Sequence, residues 1–418
     1  MVRRAVFFLI LTLAVPFAHG QDNERNPVDD LRLKIAVYGP SDEIFIWWGH
    51  AALIVENTRW NYSRVFDWGI FSYPSESFLN DFLHNDVQYR VTTGYLEMDS
   101  YIKDDRDITV YTLDLDRRAK EVILLYADNI VLPENCYYDY HEFKDNCSTG
   151  IRDILDVGTG GQFKAAFDSS PGRLTIRQHV RRYTWFHPLS DWVLDFLMGH
   201  NLDKKVTPWN EMFLPAELAR HMVDFSYTDG SGNERKLVSS VEIIHASKTR
   251  SPILNKAPAA WPFALALGLF AAFLIFAVKA LGRRYYLTGR IILGLLQGFF
   301  GLCLGGLGCV LIFGLFFMPN DYIQQNVNAL FINPLLLAMV PLGVLSASGR
   351  FGSSTGEFTF RNPDKLLRIL WTYVLIAGSV TLLFQFLPVF RQQNLSVLGI
   401  VLPVAFALSR PNTFRSDF

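Results

Sequence analysis

The hydrophobic pattern divides the chain in two. From Gln21 to about Asn255, apolar and polar residues interleave over short stretches; beyond that the apolar runs are long and almost unbroken. Alternation predicts a strand with one wet face, and a three-to-four-residue period predicts an amphipathic helix. By these rules "LRLKIAVYGPS" (31–41) is a strand closed by a turn, and "HAALIVEN" (50–57) and "RVFDWGIF" (64–71) are two more. "NTRWNYS" between them has the composition of a hairpin loop. "SESFLNDFLH" (75–84) has helical spacing, with Ser75 or Ser77 as its cap. "VQYRVTTGYL" and "DITVYTLDL" predict further strands, and "DRRAKEVILLYADNIV" an amphipathic helix. A more helical region extends to about Met222, and the strand-like "SVEIIHAS" leads into the apolar half. The chain shows no internal repeat.

Five apolar runs follow, at 261–281, 291–317, 329–347, 366–388 and 395–409. The first four approach or exceed the ~20 residues that cross a bilayer core of ~30 Å. The fifth is shorter and carries Pro403. Lys279, Arg283, Arg284 and Arg290 surround the first loop between runs, and Arg350, Arg361, Lys365 and Arg368 the third. The second loop has no basic residue, and the fourth only Arg391. Basic loops stay in the cytoplasm. Residues 21–255 are therefore expected outside, and the C-terminus, with Arg410 and Arg415, inside. The runs hold almost no ionisable residue, which argues against a pump or transporter. Gly294, Gly298, Gly301 and Gly305 recur at close spacing, as in closely packed membrane helices, and Cys303 and Cys309 are expected to serve that packing.

The N-terminus gives the same orientation. Arg3 and Arg4, the apolar stretch 5–16 and Ala18-His19-Gly20 have the order of a secretory signal peptide, expected at 1–20. The formal charge of −1 supplies no clustered basic face, so nucleic acid is excluded as a partner.

"YDYHEFKDNCSTGIRDIL" (138–155) places a lone cysteine where a helix begins. Asp145 or Asn146 can cap that helix, with Cys147 in its first turn. Free N–H groups and the helix dipole favour a thiolate there, and the same groups can hold an oxyanion. A nucleophilic cysteine needs a base. His50 is the leading candidate, because it opens an apolar strand that has no packing need for it. His141 is the rival; His187 and His200 have weaker context. With the hairpin centred between Thr58 and Arg59, Asp67 stands opposite His50, where a carboxylate can orient the imidazole. Asn146, Tyr140 and His141 are expected to position the thiol or donate to an oxyanion. In an oxidising compartment, a disulfide between Cys136 and Cys147 is the competing structural reading. No His-x-x-x-His or Cys-x-x-Cys supports zinc in this part, and no cofactor is expected.

A histidine on an early strand followed by Asn-Cys at a helix start resembles the circularly permuted NlpC/P60, papain-like order, shared by lecithin-retinol-acyltransferase-like thiol enzymes. "WWGHAALIVEN", "VFDWGIFSY", "YHEFKDNCSTGIRDIL" and "NEMFLPAEL" resemble more closely the soluble domain of the Lnb-type bacterial lipoprotein N-acyltransferases. "NVNALFINPL" (326–335) is similar to a segment at the outer edge of their membrane bundle. The resemblance implies an α+β, permuted papain-like exported domain (21–255) followed by an all-α bundle of about five transmembrane helices (256–418). It implies a bacterial inner-membrane enzyme with its catalytic domain in the periplasm. Cys147, activated by His50, would take an acyl chain from a membrane phospholipid as a thioester. It would pass that chain to the α-amine of a lipidated N-terminal cysteine on a lipoprotein. Asn326, Asn328 and Asn333, at the outer membrane edge, are expected either to bind a head group or to cap helix ends.

Two other readings remain open from sequence. One is a cysteine peptidase or amidase acting on peptidoglycan, although five spans are more anchor than a wall substrate requires. The other is a non-catalytic, disulfide-linked scaffold or sensor at the membrane.

Overall fold

The structure, a computed structural model, describes residues 26–71, 88–96, 98–318, 322–349 and 362–411. The signal peptide expected at 1–20, the helix expected at 75–84 and the loop residues Arg350, Arg361 and Arg415 lie outside the described residues.

The strands are β1 (Leu31–Tyr38), β2 (His50–Asn57), β3 (Tyr62–Phe71), β4 (Gln88–Tyr95), β5 (Ile108–Leu113), β6 (Tyr137–Asp139), β7 (Ser226–Thr228), β8 (Glu234–Lys236) and β9 (Val238–His245). Seven of them form one antiparallel sheet in the order β6-β4-β3-β2-β1-β5-β9, and β7 pairs with β8. The helices of this part are α1 (Asp99–Lys103), α2 (Arg117–Ile130), α3 (Cys147–Gly158), α4 (Gln162–Phe167), α5 (Ile176–Arg181), α6 (Pro188–Leu197), α7 (Pro208–Glu211) and α8 (Pro215–Asp224). Both faces of the central strands are covered. Leu33, Ile35 and Leu53 pack with Ala119 and Ile123 of α2 and with Ile151, Ile154 and Leu155 of α3. Ala36, Tyr38, Ala52 and Ile54 face a smaller cluster with Ile108 and Val110. Each fully buried Leu or Ile contributes about 1.5–3 kcal/mol, so this sandwich fixes α3 against β2 and β3.

The β2–β3 register differs from the sequence expectation. Asp67 pairs with Ala52, not with His50. The turn sits further along because the Asn57 side chain accepts from the N–H groups of Arg59 and Trp60, closing an Asx turn. Asp67 therefore shares a face with His50 one pair further on, a diagonal within side-chain reach.

The C-terminal half holds α9 (Trp261–Arg284), α10 (Tyr286–Phe317), α11 (Met339–Ser348), α12 (Pro363–Leu383) and α13 (Leu395–Ser409). Among the described residues four segments, not five, are long and apolar enough to span a bilayer: 261–284, 286–317, 327–348 and 363–386. The third is broken. Two 3-10 turns, Val327–Leu330 and Pro334–Ala338, precede α11, with Asn333-Pro334 between them. The fifth apolar run forms only the 15-residue α13, which contains Pro403. It lies beside α9 and runs the same way, since Lys279 near the end of α9 donates to the carbonyls of Ala407 and Arg410, each at 2.7 Å. Gly294, Gly301 and Gly305 of α10 press against Gly343, Met339 and Leu337 of the broken segment. Cys303 faces outward instead of serving this packing.

The two halves meet through α6. Phe196 joins the buried core of the bundle, and the Trp192 indole donates to the Ser396 carbonyl at 3.4 Å. Arg177, fully buried, donates to Asp195 at 2.9 Å, to Asp203 at 2.7 Å and to the Met198 carbonyl at 2.7 Å. Asp195 in turn accepts from the Ser396 hydroxyl at 2.5 Å, and Asp203 from the Gln393 N–H at 3.0 Å.

Candidate active site

Three elements converge on Cys147. The first is α3, whose N-cap is Asn146. Its side-chain oxygen accepts from the N–H groups of Ser148 and Thr149, and Thr149 Oγ1 accepts from the Asn146 N–H at 2.7 Å. The Asn146 amide donates to the carbonyls of Glu142 at 2.8 Å and Phe213 at 3.0 Å. Asn146 is thus wholly engaged as a positioning residue. Ser148 adds a bond to the Met212 carbonyl at 2.7 Å. These contacts tie the first turn of α3 to the 210–218 segment and fix the direction of the Cys147 side chain.

The second element is the start of β2. Gly49 takes φ +82°, and a Cβ there would come 2.6 Å from the Tyr38 carbonyl oxygen, so only glycine opens the strand this way. His50 follows, partly exposed, with Nε2 2.7 Å from Asp67 Oδ1. That leaves Nδ1 for the sulfur. Burial pushes the His50 pKa down, but the Asp67 carboxylate and the Cys147 side chain, each nearby and hydrogen-bonded to the ring, hold it well above the ordinary imidazole value.

The third element is β6 with the bulge in β3. The β3–β4 register shifts between Asp67 and Ile70, and Gly69 takes φ +90°. The place a Gly69 Cβ would occupy lies 3.8 Å from the Tyr138 hydroxyl and 4.0 Å from Cys147 Cβ. Tyr138 Oη is buried there and has no acceptor among the described residues. Burial, and next the Cys147 side chain, raise the Tyr138 pKa, so the phenol keeps its proton. Gly69 and Tyr138 were not singled out from sequence. An isolated glycine within a strand pattern does signal a bulge, but nothing marks Tyr138 among its neighbouring tyrosines.

The remaining expected residues fall as follows. Tyr140 stacks on Tyr89 with ring centroids 4.2 Å apart, and burial, and next its proximity to Cys147, raise its pKa well above the ordinary phenol value. His141 Nδ1 accepts from the Phe143 N–H at 3.2 Å. His187 caps α6, and His200 Nδ1 lies 2.7 Å from the Arg391 carbonyl. Asn326 and Asn328 are buried, and both amides donate to the Phe196 carbonyl at 2.9 Å. They cap or join backbone at the junction of the two halves. Asn333 donates to Tyr373 Oη at 2.7 Å. Cys136 and Cys147 are both free thiols, and Cys136 points to the Pro133 carbonyl. Glu211, Glu217 and His221 bring ligand atoms within 4.8 Å of one another. Their carboxylates already accept from Arg173, Arg182 and Arg220 and face His179, an ion-pair network that braces the 210–218 segment.

The site stands at the membrane end of the sheet. Tyr38, His50, Ile108 and His245 align in register at that end. The chain leaves β9 at His245 and enters its first membrane-length helix at Trp261. Phe143, four residues before the thiol, stacks on Tyr322, next to the broken segment, at 6.0 Å.

Fold and site together define a multi-pass membrane protein whose sheet domain brings a cysteine, an imidazole and a carboxylate together. The family model described as the Lnb N-terminal periplasmic domain matches residues 21–182, so this stretch of the chain is similar to that domain. The matched stretch contains His50, Asp67, Tyr138 and Cys147; the sheet itself continues beyond it to β9. No curated protein and no solved structure matches the chain.

Proposed function

We propose that this protein is a lipoprotein N-acyltransferase of the bacterial inner membrane, with a permuted NlpC/P60-like catalytic domain in the periplasm. The observation that carries the reading is the Cys147 thiol at a capped helix N-terminus beside a His50–Asp67 pair, at the end of the domain nearest the bilayer.

His50 Nδ1 takes the thiol proton, and the sulfur attacks the carbonyl carbon of a phospholipid ester. A C–S bond forms, and the carbonyl electron pair moves to oxygen. The Cys147 N–H and the Tyr138 hydroxyl are the donors nearest that oxyanion. The C–O bond then breaks, and His50 returns the proton to the departing alkoxide, releasing a lysolipid. In the second half the α-amine of a diacylglyceryl-cysteine attacks the thioester. His50 accepts the amine proton, the C–S bond breaks, and the thiol is restored with an amide formed. Asp67 holds the imidazole in orientation and stabilises its charged form throughout. The membrane-spanning helices keep both greasy substrates at the thiol's level and so raise their effective concentration.

The test is transfer in a bilayer. The full chain is reconstituted with phospholipid and a diacylglyceryl-cysteine lipopeptide. Lysolipid and N-acyl lipopeptide should appear in equal amounts, and neither with Cys147→Ala. Cleavage of muropeptides with no lipid turnover would replace this reading with a peptidoglycan amidase.

A further inference from the structure

Just before His50 the chain makes a 3-10 turn, Ile44–Ile46, none of whose three residues is buried. Phe45 is 71% exposed and Ile44 43%. Trp47, which is buried, sets its ring 5.3 Å from Phe186 and 5.9 Å from His187. The turn is thereby joined to the start of α6, where Phe186 is exposed and Leu189 is 70% exposed. One turn further along α6, Trp192 bonds to Ser396 and Phe196 enters the bundle core. Arg181, at the end of α5, donates to the Pro258 carbonyl at 3.5 Å, three residues before the first membrane-length helix. That helix opens with exposed Trp261 and Phe263.

An apolar lip of this kind at an interface is unusual on a water-facing surface. Here it is continuous with the bundle through α6 and lies at the membrane end of the sheet. Aromatic and aliphatic side chains so placed belong in the headgroup–acyl boundary, where they bury area without crossing the bilayer. We propose that Ile44, Phe45, Phe186 and Leu189 form a lip seated in the outer leaflet of the bilayer the bundle spans. The lip fixes the height of the cleft, so that His50, four residues from the Phe45-Ile46 step, meets lipid at the depth of its ester groups. This purpose rests on the acyl-transfer reading; the seating itself does not.

The experiment uses the full chain in phosphatidylethanolamine–phosphatidylglycerol nanodiscs, with p-benzoylphenylalanine placed at Phe45, at Leu189 or at Trp60. Trp60 is 72% exposed at the tip of the β2–β3 hairpin, the far end of the sheet, and serves as the control. After irradiation, lipid adducts at 45 and 189 should exceed those at 60 by about tenfold, since only a seated side chain meets acyl carbons. Equal adducts at all three positions, or protein adducts without lipid at 45 and 189, would overturn the lip. Repeating the measurement with Cys147→Ala separates the two ideas. Seating should persist in that variant, whereas acyl transfer should not.

Discussion

At the scale of single residues the site turns on one imidazole with two partners, Asp67 and Cys147. Removing the Asp67 carboxylate removes one cause of the raised His50 pKa. In Asp67→Asn the alkaline limb of the kcat/KM profile should therefore move toward lower pH, toward the ordinary imidazole value of ~6.5. The same linkage has a stability sign. A raised histidine pKa stabilises the fold fully below ~6.5 and loses that contribution as pH rises through the folded value. Denaturant midpoints measured against pH should show this slope above ~6.5 in the native chain and a smaller one in Asp67→Asn. Tyr138 bears on a different quantity. Tyr138→Phe should slow acylation by about a hundredfold while leaving the pH profile in place, the pattern of a lost oxyanion donor. Single-turnover kinetics would read both.

At the scale of elements, the thiol is only as well placed as α3. Gly150, one turn into that helix, lies directly on the Trp68 ring, where a Cβ would come 2.6 Å from the indole. Gly150→Ala must lift the helix from β3, costing about 1–3 kcal/mol and moving Cys147 relative to His50. Thermal unfolding and the alkylation rate of Cys147 should change together. Much of this element was legible in the sequence. The apolar run that gives β2, the cap that precedes Cys147 and the membrane-length runs are local patterns, each readable from one contiguous stretch of chain. The β2–β3 register was not, because it depends on the Asn57 side chain closing its own turn. Tyr138 was hidden for a related reason. Its importance comes from the Gly69 bulge on a strand almost seventy positions earlier, and strand pairing over that distance has no local signature.

At the scale of the whole molecule, the sheet domain is tied to the membrane-length helices by a buried polar junction. From sequence Asn326 and Asn328 could bind a head group or cap helix ends, and Asn326 does cap the 327–330 turn. What the sequence pattern lacked was the partner across the junction, since Phe196 lies 130 or more residues away. Arg177 is the centre of this junction, serving Asp195 and Asp203 together. Arg177→Met should strip two buried carboxylates of the guanidinium they share and destabilise the junction by about 3–5 kcal/mol. Limited proteolysis should then cut between the sheet domain and α9 faster, with the bundle itself unaffected.

The most direct measurement is the mass of the Cys147 peptide after the reconstituted protein meets phospholipid with no acceptor present. That sulfur should carry one added acyl chain, released by neutral hydroxylamine, absent from Cys147→Ala and nearly absent from His50→Ala. An unmodified Cys147 peptide under conditions where lysolipid accumulates, or an acyl adduct that survives in Cys147→Ala, would contradict it.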